Sequence, residues 1–403
     1  MASFRPRYVN PFHTDFCLQL SYKVLQNQIQ KGSNNFVSSP LSLHIMLSLV
    51  AAGSEGQTLD QLLLFLGSQN KDDLNSASSK LVSSLRNLEG TESGGSILSF
   101  VNGAWVERSF GLKTSFEEIT KNGYKSQIEL AEEVEQKVNS WVENATNGLI
   151  RQIVPLGSLD HRTRLVLANA LYFKGEWAQK FDQTLTITRN FNLLNGENVK
   201  VPFMTSKECR GYYYRSFENH FNSFENFKVL SIPYKIGSSS NPLKFSMYFL
   251  LPHGKHGLPN LIRTLNSNLR FLNKDFQQKG SEGVDEIWIP KFKFCFNFEA
   301  TEGMKELGLT FPFTPGGLTE VSDSSNSHEL CVSKIQQKAF LEVNEEGTEA
   351  AAATSTGSWL ICAGPLRPKT SFVADHPFIF MIREETSMAV FFIGAVLNPL
   401  LDS

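Results

Sequence analysis

The sequence predicts an α+β fold with extensive antiparallel or mixed sheet, on three observations. Apolar residues recur at helical spacing in the first third of the chain. From residue 164 onward, long apolar runs rich in β-branched and aromatic residues have the look of strands buried on both faces. The two kinds of segment do not alternate regularly, as they would around a parallel sheet. The 403 residues are 41% hydrophobic and 19% charged, enough to bury a large core, and no proline-rich, glycine-rich or charge-block linker divides them. One domain over 1–403 is therefore expected. Phe, at 32 residues against 9 Tyr, predicts a core of packed aromatic rings.

Each element follows in order. Phe12, Phe16, Leu20 and Val24 lie four apart and predict an amphipathic opening helix. Ser39 is placed to cap, and Pro40 to occupy the tolerated first turn of, a buried helix through LSLHIMLSLVAAGS. Val134, Val138 and Trp141 share one face of a surface helix that Asn147 and Gly148 would stop. RLVLANALYFKGEW (164–177) predicts a central strand; FSMYFLLP (245–252), IWIPKFKFCFNF (287–298) and MAVFFIGAVLNP (388–399) repeat its character. In the 287–298 segment Phe292, Phe294, Phe296 and Phe298 fall on one face, and Lys291, Lys293, Cys295 and Asn297 on the other. Ala339, Leu341 and Val343 likewise alternate with Phe340, Glu342 and Asn344.

Several function classes fall away. A net charge of −2 with no basic stripe or polybasic anchor argues against nucleic acid and membrane as partners. The apolar helical stretch around Ile45 to Ala52 is too short to span a bilayer. Cysteines at 17, 209, 295, 331 and 362 are odd in number, widely spaced and without a CxxC pair, which argues against a disulfide framework and a zinc site. No metal and no cofactor is expected. The start, MASFRPRYVNPFHTDF, has no apolar core of the kind a cleaved signal needs, so the expected location is cytoplasmic and the sequon at Asn144, Ala145 and Thr146 is expected to stay unmodified. GxSxG, HExxH, GxxxxGK[ST] and GxGxxG are all missing. His376, beside Asp375, is expected to be a packed or capping turn residue, and the chain is not expected to be an enzyme.

The most informative stretch is EEGTEAAAATSTG (345–357), followed by the bulky patch from Trp359 to Cys362. About two dozen residues separate the strand ending near Val343 from the next apolar one at Phe372, longer than structureless loops in compact domains usually run. Its alanines would support a short helix from Thr348 to Ala353. The same residues also suit a strand, with Thr348, Ala350, Ala352 and Thr354 on one small, uncharged face and Glu349, Ala351, Ala353 and Ser355 on the other. Gly347 supplies a free pivot, and no proline interrupts the stretch before Gly364. This is a segment suited to changing conformation.

Those residues, with VSSPLSLHIMLSLVAAGSEGQT (37–58), VNSWVENATNGLI (138–150), LANALYFKGEW (167–177), FMTS (203–206), FSMYFLLP (245–252), IPKFKF (289–294), FVADHPF (372–378) and FIGAVLNP (392–399), make the chain resemble the serpins over nearly its whole length, and the plant-type members in particular. The resemblance implies three β-sheets, eight or nine helices and an exposed reactive-centre loop, here about 345–371. It implies a suicide inhibitor of serine, or papain-like cysteine, proteases, whose cut loop inserts into the central sheet and drags the attached protease with it. The hinge would be Glu345, Glu346, Gly347, Thr348, Glu349, Ala350, Ala351, Ala352 and Ala353. Counting seventeen residues from Glu345, as in similar hinges, puts the reactive bond between Ile361 and Cys362; a one-residue slip would put it between Leu360 and Ile361.

The implied partner is a target protease of elastase-, chymotrypsin- or papain-like pocket, met by a monomer. Ser39, Ser42, Asn169, Trp177 and Gln337 correspond to the region where the sheet opens, with Gln337 standing where the family commonly has histidine. Cys362 is expected to be an ordinary exposed thiol, since no Lys, Arg or His lies within four residues. Two further departures are the short interval between Tyr124 and Trp141, as though part of an edge strand were missing, and the long aromatic stretch 211–224. They leave a serpin-fold binding protein, cut without trapping, as the alternative.

Overall fold

The computed structural model describes residues 14–31, 34–86, 96–207, 220–237, 243–273, 284, 286–348 and 370–401. Helices in this part of the chain are α1 (Asp15–Lys31), α2 (Pro40–Ala52), α3 (Gly56–Leu66), α4 (Lys71–Arg86), α5 (Thr114–Glu118), α6 (Val134–Ala145), α7 (Leu258–Ser267) and α8 (Thr301–Glu306). In α1 Phe16 and Leu20 are buried as the spacing predicts, while Phe12 lies outside the described residues. Helix α2 is buried on every side. Its start is fixed as expected: the Ser42 N–H donates to Ser39 Oγ at 3.2 Å, and Pro40 occupies the first turn, where an N–H is not needed.

Helix α6 runs four residues past Trp141, and its buried face is Val134, Val138 and Val142. Trp141 is only half-buried and meets Trp105 edge-on at 4.8 Å. Positive φ at Asn147 (51°) and Gly148 (79°) ends the segment. Thr146 of the sequon is buried, bonded to Val142 O and to the Ile150 N–H.

Three sheets carry the rest. The central one has the order β11 (Phe292–Glu299), β12 (Val332–Val343), β13 (Gly347–Thr348), β4 (Leu165–Glu176), β2 (Ile97–Glu107) and β3 (Gln127–Ala131). A second six-stranded sheet runs β1 (Phe36–Ser38), β16 (Val390–Val396), β15 (Phe378–Glu384), β9 (Phe245–Pro252), β8 (Phe227–Pro233) and β7 (His220–Ser223). A four-stranded sheet runs β14 (Ser371–Val373), β10 (Glu286–Pro290), β6 (Asn198–Lys207) and β5 (Ile187–Asn192). Phe292, Phe294, Phe378 and Phe380 interlock between the two large sheets, with ring centroids 5.7–6.2 Å apart. Each such ring contributes roughly 1.5–3 kcal/mol by leaving water.

The expectation of one strand over 287–298 needs correction. Pro290 has no N–H for a ladder, and the chain breaks there: β10 belongs to the four-stranded sheet and β11 to the central one. The Lys291 N–H at the break donates to Pro202 O at 2.9 Å. The alternation of the four phenylalanines, all buried, holds for β11 alone. In the aromatic stretch 211–224, residues up to 219 lie outside the described residues. Phe224 is packed, stacking on Phe227 at 5.0 Å and meeting Phe271 at 5.1 Å. The edge strand β3 is five residues long and covers β2 only from Gly103 to Glu107.

Candidate functional site

The central sheet has two parallel pairings, β2 with β3 at its edge and β12 with β4 inside it, and the inner one forms a seam. Strands β12 and β4 pair directly from Val332↔Leu165 to Phe340↔Tyr172, and above that point they diverge. Into the opening comes β13, antiparallel to both neighbours, with Thr348 opposite Val343 on one side and Gly175 on the other.

Below the opening the seam is closed by side-chain amides. Gln337 faces Asn169 across it, and both are fully buried. Gln337 Oε1 accepts from the Ser39 N–H at 2.8 Å, and its Nε2 donates to Ser39 O at 3.1 Å and to Asn169 Oδ1 at 3.3 Å. Asn169 Nδ2 donates in turn to Val101 O (3.2 Å) and Asn102 Oδ1 (2.8 Å). The Ser42 hydroxyl donates to Ser39 Oγ at 2.8 Å. Four of the five residues assigned to sheet opening, Ser39, Ser42, Asn169 and Gln337, therefore form one connected network.

The fifth, Trp177, sits at the opening. Its Nε1 donates to Asn344 O at 2.9 Å, its backbone N–H donates to Glu346 O at 3.0 Å, and its ring stacks on Tyr234 at 4.7 Å and 13°. The Tyr234 and Thr348 hydroxyls are hydrogen-bonded at 2.7 Å, and Thr348 is fully buried. The chain turns through Asn344–Gly347, with the Glu346 N–H donating to Asn344 Oδ1 at 3.0 Å. Gly347 has φ 152°, and a Cβ there would lie 2.0 Å from Gly175 O, so only glycine passes this point without strain.

Two buried acids fasten the entrance. Glu345 pairs with Lys291 at 2.8 Å and accepts from Thr186 Oγ1 at 2.6 Å; Glu346 pairs with Lys180 at 2.6 Å and accepts from Gln183 Nε2 at 3.2 Å. Burial pushes the Glu345 carboxyl up, but the hydrogen bonds from Lys291 and Thr186 outweigh it and hold the group below its ordinary value. The hydrogen bond to Glu346 raises the Lys180 ammonium above its own.

The hinge assignment thus falls in two parts. Glu345, Glu346, Gly347 and Thr348 are gathered at the opening; Glu349, Ala350, Ala351, Ala352 and Ala353, like Leu360, Ile361 and Cys362, lie outside the described residues. Of the helix considered over Thr348 to Ala353, the first residue is strand and the other five lie outside the described residues. Sequence reasoning missed Tyr234, Lys180, Thr186 and Lys291. Lys291 had a signal, since it follows the proline that breaks the strand; the others had none. His376 is held between Asp375 Oδ1 (2.8 Å) and Pro252 O (2.9 Å), a structural turn residue as expected.

A three-sheet α+β chain with the start of a long, proline-free, small-residue segment entering a parallel seam defines a class, and comparison with known proteins identifies it. The family model for Serpin (serine protease inhibitor) matches residues 12–399, and the chain belongs to that family of protease inhibitors. It is similar to plant proteins: it is 43% identical to Serpin-ZX of Arabidopsis thaliana, covering 93% of this chain and 98% of the relative, and 42% identical to Serpin-ZXA of Oryza sativa subsp. japonica, covering 96% of each. Among solved structures it is similar to Arabidopsis AtSerpin1 in its native stressed conformation, with TM-score 0.83, 41% identity and 96% and 98% of the two chains covered. It also resembles Serpin48 of the insect Tenebrio molitor, with TM-score 0.79 and 26% identity.

Proposed function

We propose that the protein inhibits its target protease irreversibly, by drawing the cut loop from Gly347 onward down the seam between β12 and β4. The observation that carries this is β13 itself: two residues of the hinge already stand between those strands, antiparallel to both. Continuing in that register replaces one parallel interface with two antiparallel ones, and antiparallel pairing is the slightly more stable kind per residue. The small faces of Ala350 and Ala352 suit passage through a packed sheet.

In the proposed reaction the protease nucleophile bonds to the Ile361 carbonyl carbon, the bond to Cys362 breaks, and the new amine of Cys362 takes a proton. Inserting Thr348 to Leu360 at ~3.3 Å per residue would carry the acylated end about 40 Å. Disturbing the protease's oxyanion hole by such a pull leaves the ester or thioester unhydrolysed, since one lost donor costs roughly 10²–10³ in rate. An apolar Ile361 favours elastase-like pockets, Leu360 chymotrypsin- or papain-like ones. The free thiols of Cys17, Cys295 and Cys331 support a reducing, cytoplasmic setting.

The test is incubation with elastase, chymotrypsin and papain. A detergent-resistant one-to-one adduct, with release of a carboxy-terminal fragment starting at Cys362, is expected with at least one of them. Complete loop cleavage by all three without any adduct would replace this reading by that of a serpin-fold binding protein.

A further inference from the structure

The amide network of the seam has a direction, and it ends in an unused donor. The Ser39 N–H can only donate and Ser39 O can only accept, which fixes the orientation of the Gln337 amide. Gln337 Nε2 then requires Oδ1 of Asn169, and Val101 O independently requires Nδ2 of Asn169 on the far side. Asn102 must therefore receive with Oδ1, at 2.8 Å, and turn its NH₂ outward. Asn102 is only 6% exposed, and among the described residues its Nδ2 meets no acceptor.

Asn102 lines a cleft of about 320 Å³ at the outer edge of β2, just where β3 stops covering it, with Trp141 in its wall. Lys121, whose ammonium pairs with Glu117, and Lys125 add positive charge to the wall, and Gln127 adds an amide; no carboxylate lines it among the described residues. We propose that this cleft binds a small oxyanion, a phosphate, sulfate or carboxylate group, whose oxygen completes the chain of donors at Asn102. Aligned hydrogen bonds polarise one another, so an anion there strengthens the contact between Asn169 and Gln337 at the other end. A strand inserted between β12 and β4 would separate these two residues, which face each other in the register. The anion therefore favours the closed seam and slows its opening, by linkage. Only this braking effect rests on the insertion reading; the site does not.

Titration calorimetry of the full chain with inorganic phosphate, against chloride at matched ionic strength, tests it. Saturable one-to-one binding is expected, weakened about tenfold or more by Asn102→Asp, which still accepts from Asn169 but shows the cleft an acceptor. Should that variant fold poorly, the exposed pair Lys121→Gln with Lys125→Gln decides, with a similar loss expected. Phosphate indistinguishable from chloride, or binding unmoved by the double lysine change, overturns the site. For the brake, phosphate should slow annealing of a synthetic 348–360 peptide several-fold in the parent and not in the double variant; equal slowing in both overturns the coupling. Binding is read without a protease, so absence of protease adducts would leave it standing.

Discussion

Gln337 takes pH out of the seam. An imidazole in that position would titrate between about pH 5 and 8, whereas a carboxamide keeps its hydrogen bonds to Ser39 and Asn169 throughout. The pH response of the entrance is left to its clamps. Glu345, held below its ordinary value near 4.5, stabilises the docked hinge above that value and loses its contribution as pH falls through the lowered one. Lys180, raised above 10.5, contributes fully below that value and loses its contribution only as pH rises through the raised one. Hydrogen exchange at the Thr348 amide should accordingly be flat in protection through neutral pH and lose protection in acid, and Glu345→Gln should remove the acid step. A loss of protection centred near pH 6–7 would contradict this assignment. The acids of this clamp were legible in sequence as a charged pair before a glycine. Lys180 was not, because it lies 166 residues before its partner Glu346 and nothing local marks it; Lys291, 54 residues before Glu345, was marked only by the proline that precedes it.

The element that matters most is the shortest. Strand β13 needs glycine at 347 to pass Gly175 O, and at 348 a side chain that fits beside Tyr234 with a hydroxyl to share. Arginine at 348 would bring an unpaired charge into a fully buried position, a cost of several kcal/mol that expulsion of the hinge relieves. Thr348→Arg should therefore be cut at the same bond as the parent at a similar rate while its yield of adduct falls by tenfold or more, as read by gel densitometry. The strands flanking the seam were legible because double burial writes an unbroken apolar run, as in β4, or strict alternation, as in β12. The docked position of Gly347 and Thr348 was not, since their composition suits loop, helix and strand alike and the choice is made by the gap between β12 and β4. At 287–298 the alternation of phenylalanines hid a change of sheet that only the proline at 290 announces.

For the whole molecule, cutting the loop should raise thermal stability. If about a dozen residues after Thr348 enter the sheet, each gains ladder bonds on two sides at roughly 1 kcal/mol net, and the unfolding midpoint of loop-nicked protein should rise by on the order of 10 °C or more. Scanning calorimetry of nicked and intact protein checks it; coincident midpoints would mean that no strand was added. At this scale the sequence was most transparent, because the motifs that carry the family are spread from Val37 to Pro399 and their order fixes the topology. The amide network was half visible: Ser39, Ser42, Asn169 and Gln337 could be named, but Asn102, its outer end, looked like any strand residue.

One short piece of chain holds both feet of the loop. Strand β10 pairs with β14, from Glu286↔Ser371 to Trp288↔Val373, where the loop returns, and Lys291, immediately past its end, clamps Glu345, where the loop departs. The two ends of the loop thus stand on a single sill. On the proposed mechanism, every residue drawn down the seam at one end of a whole loop must be surrendered by the rest, while the other end stays held. Two residues of descent, Gly347 and Thr348, are what the uncut chain shows; under that mechanism, severing the loop removes the tie, and the departing side then travels the length of the sheet.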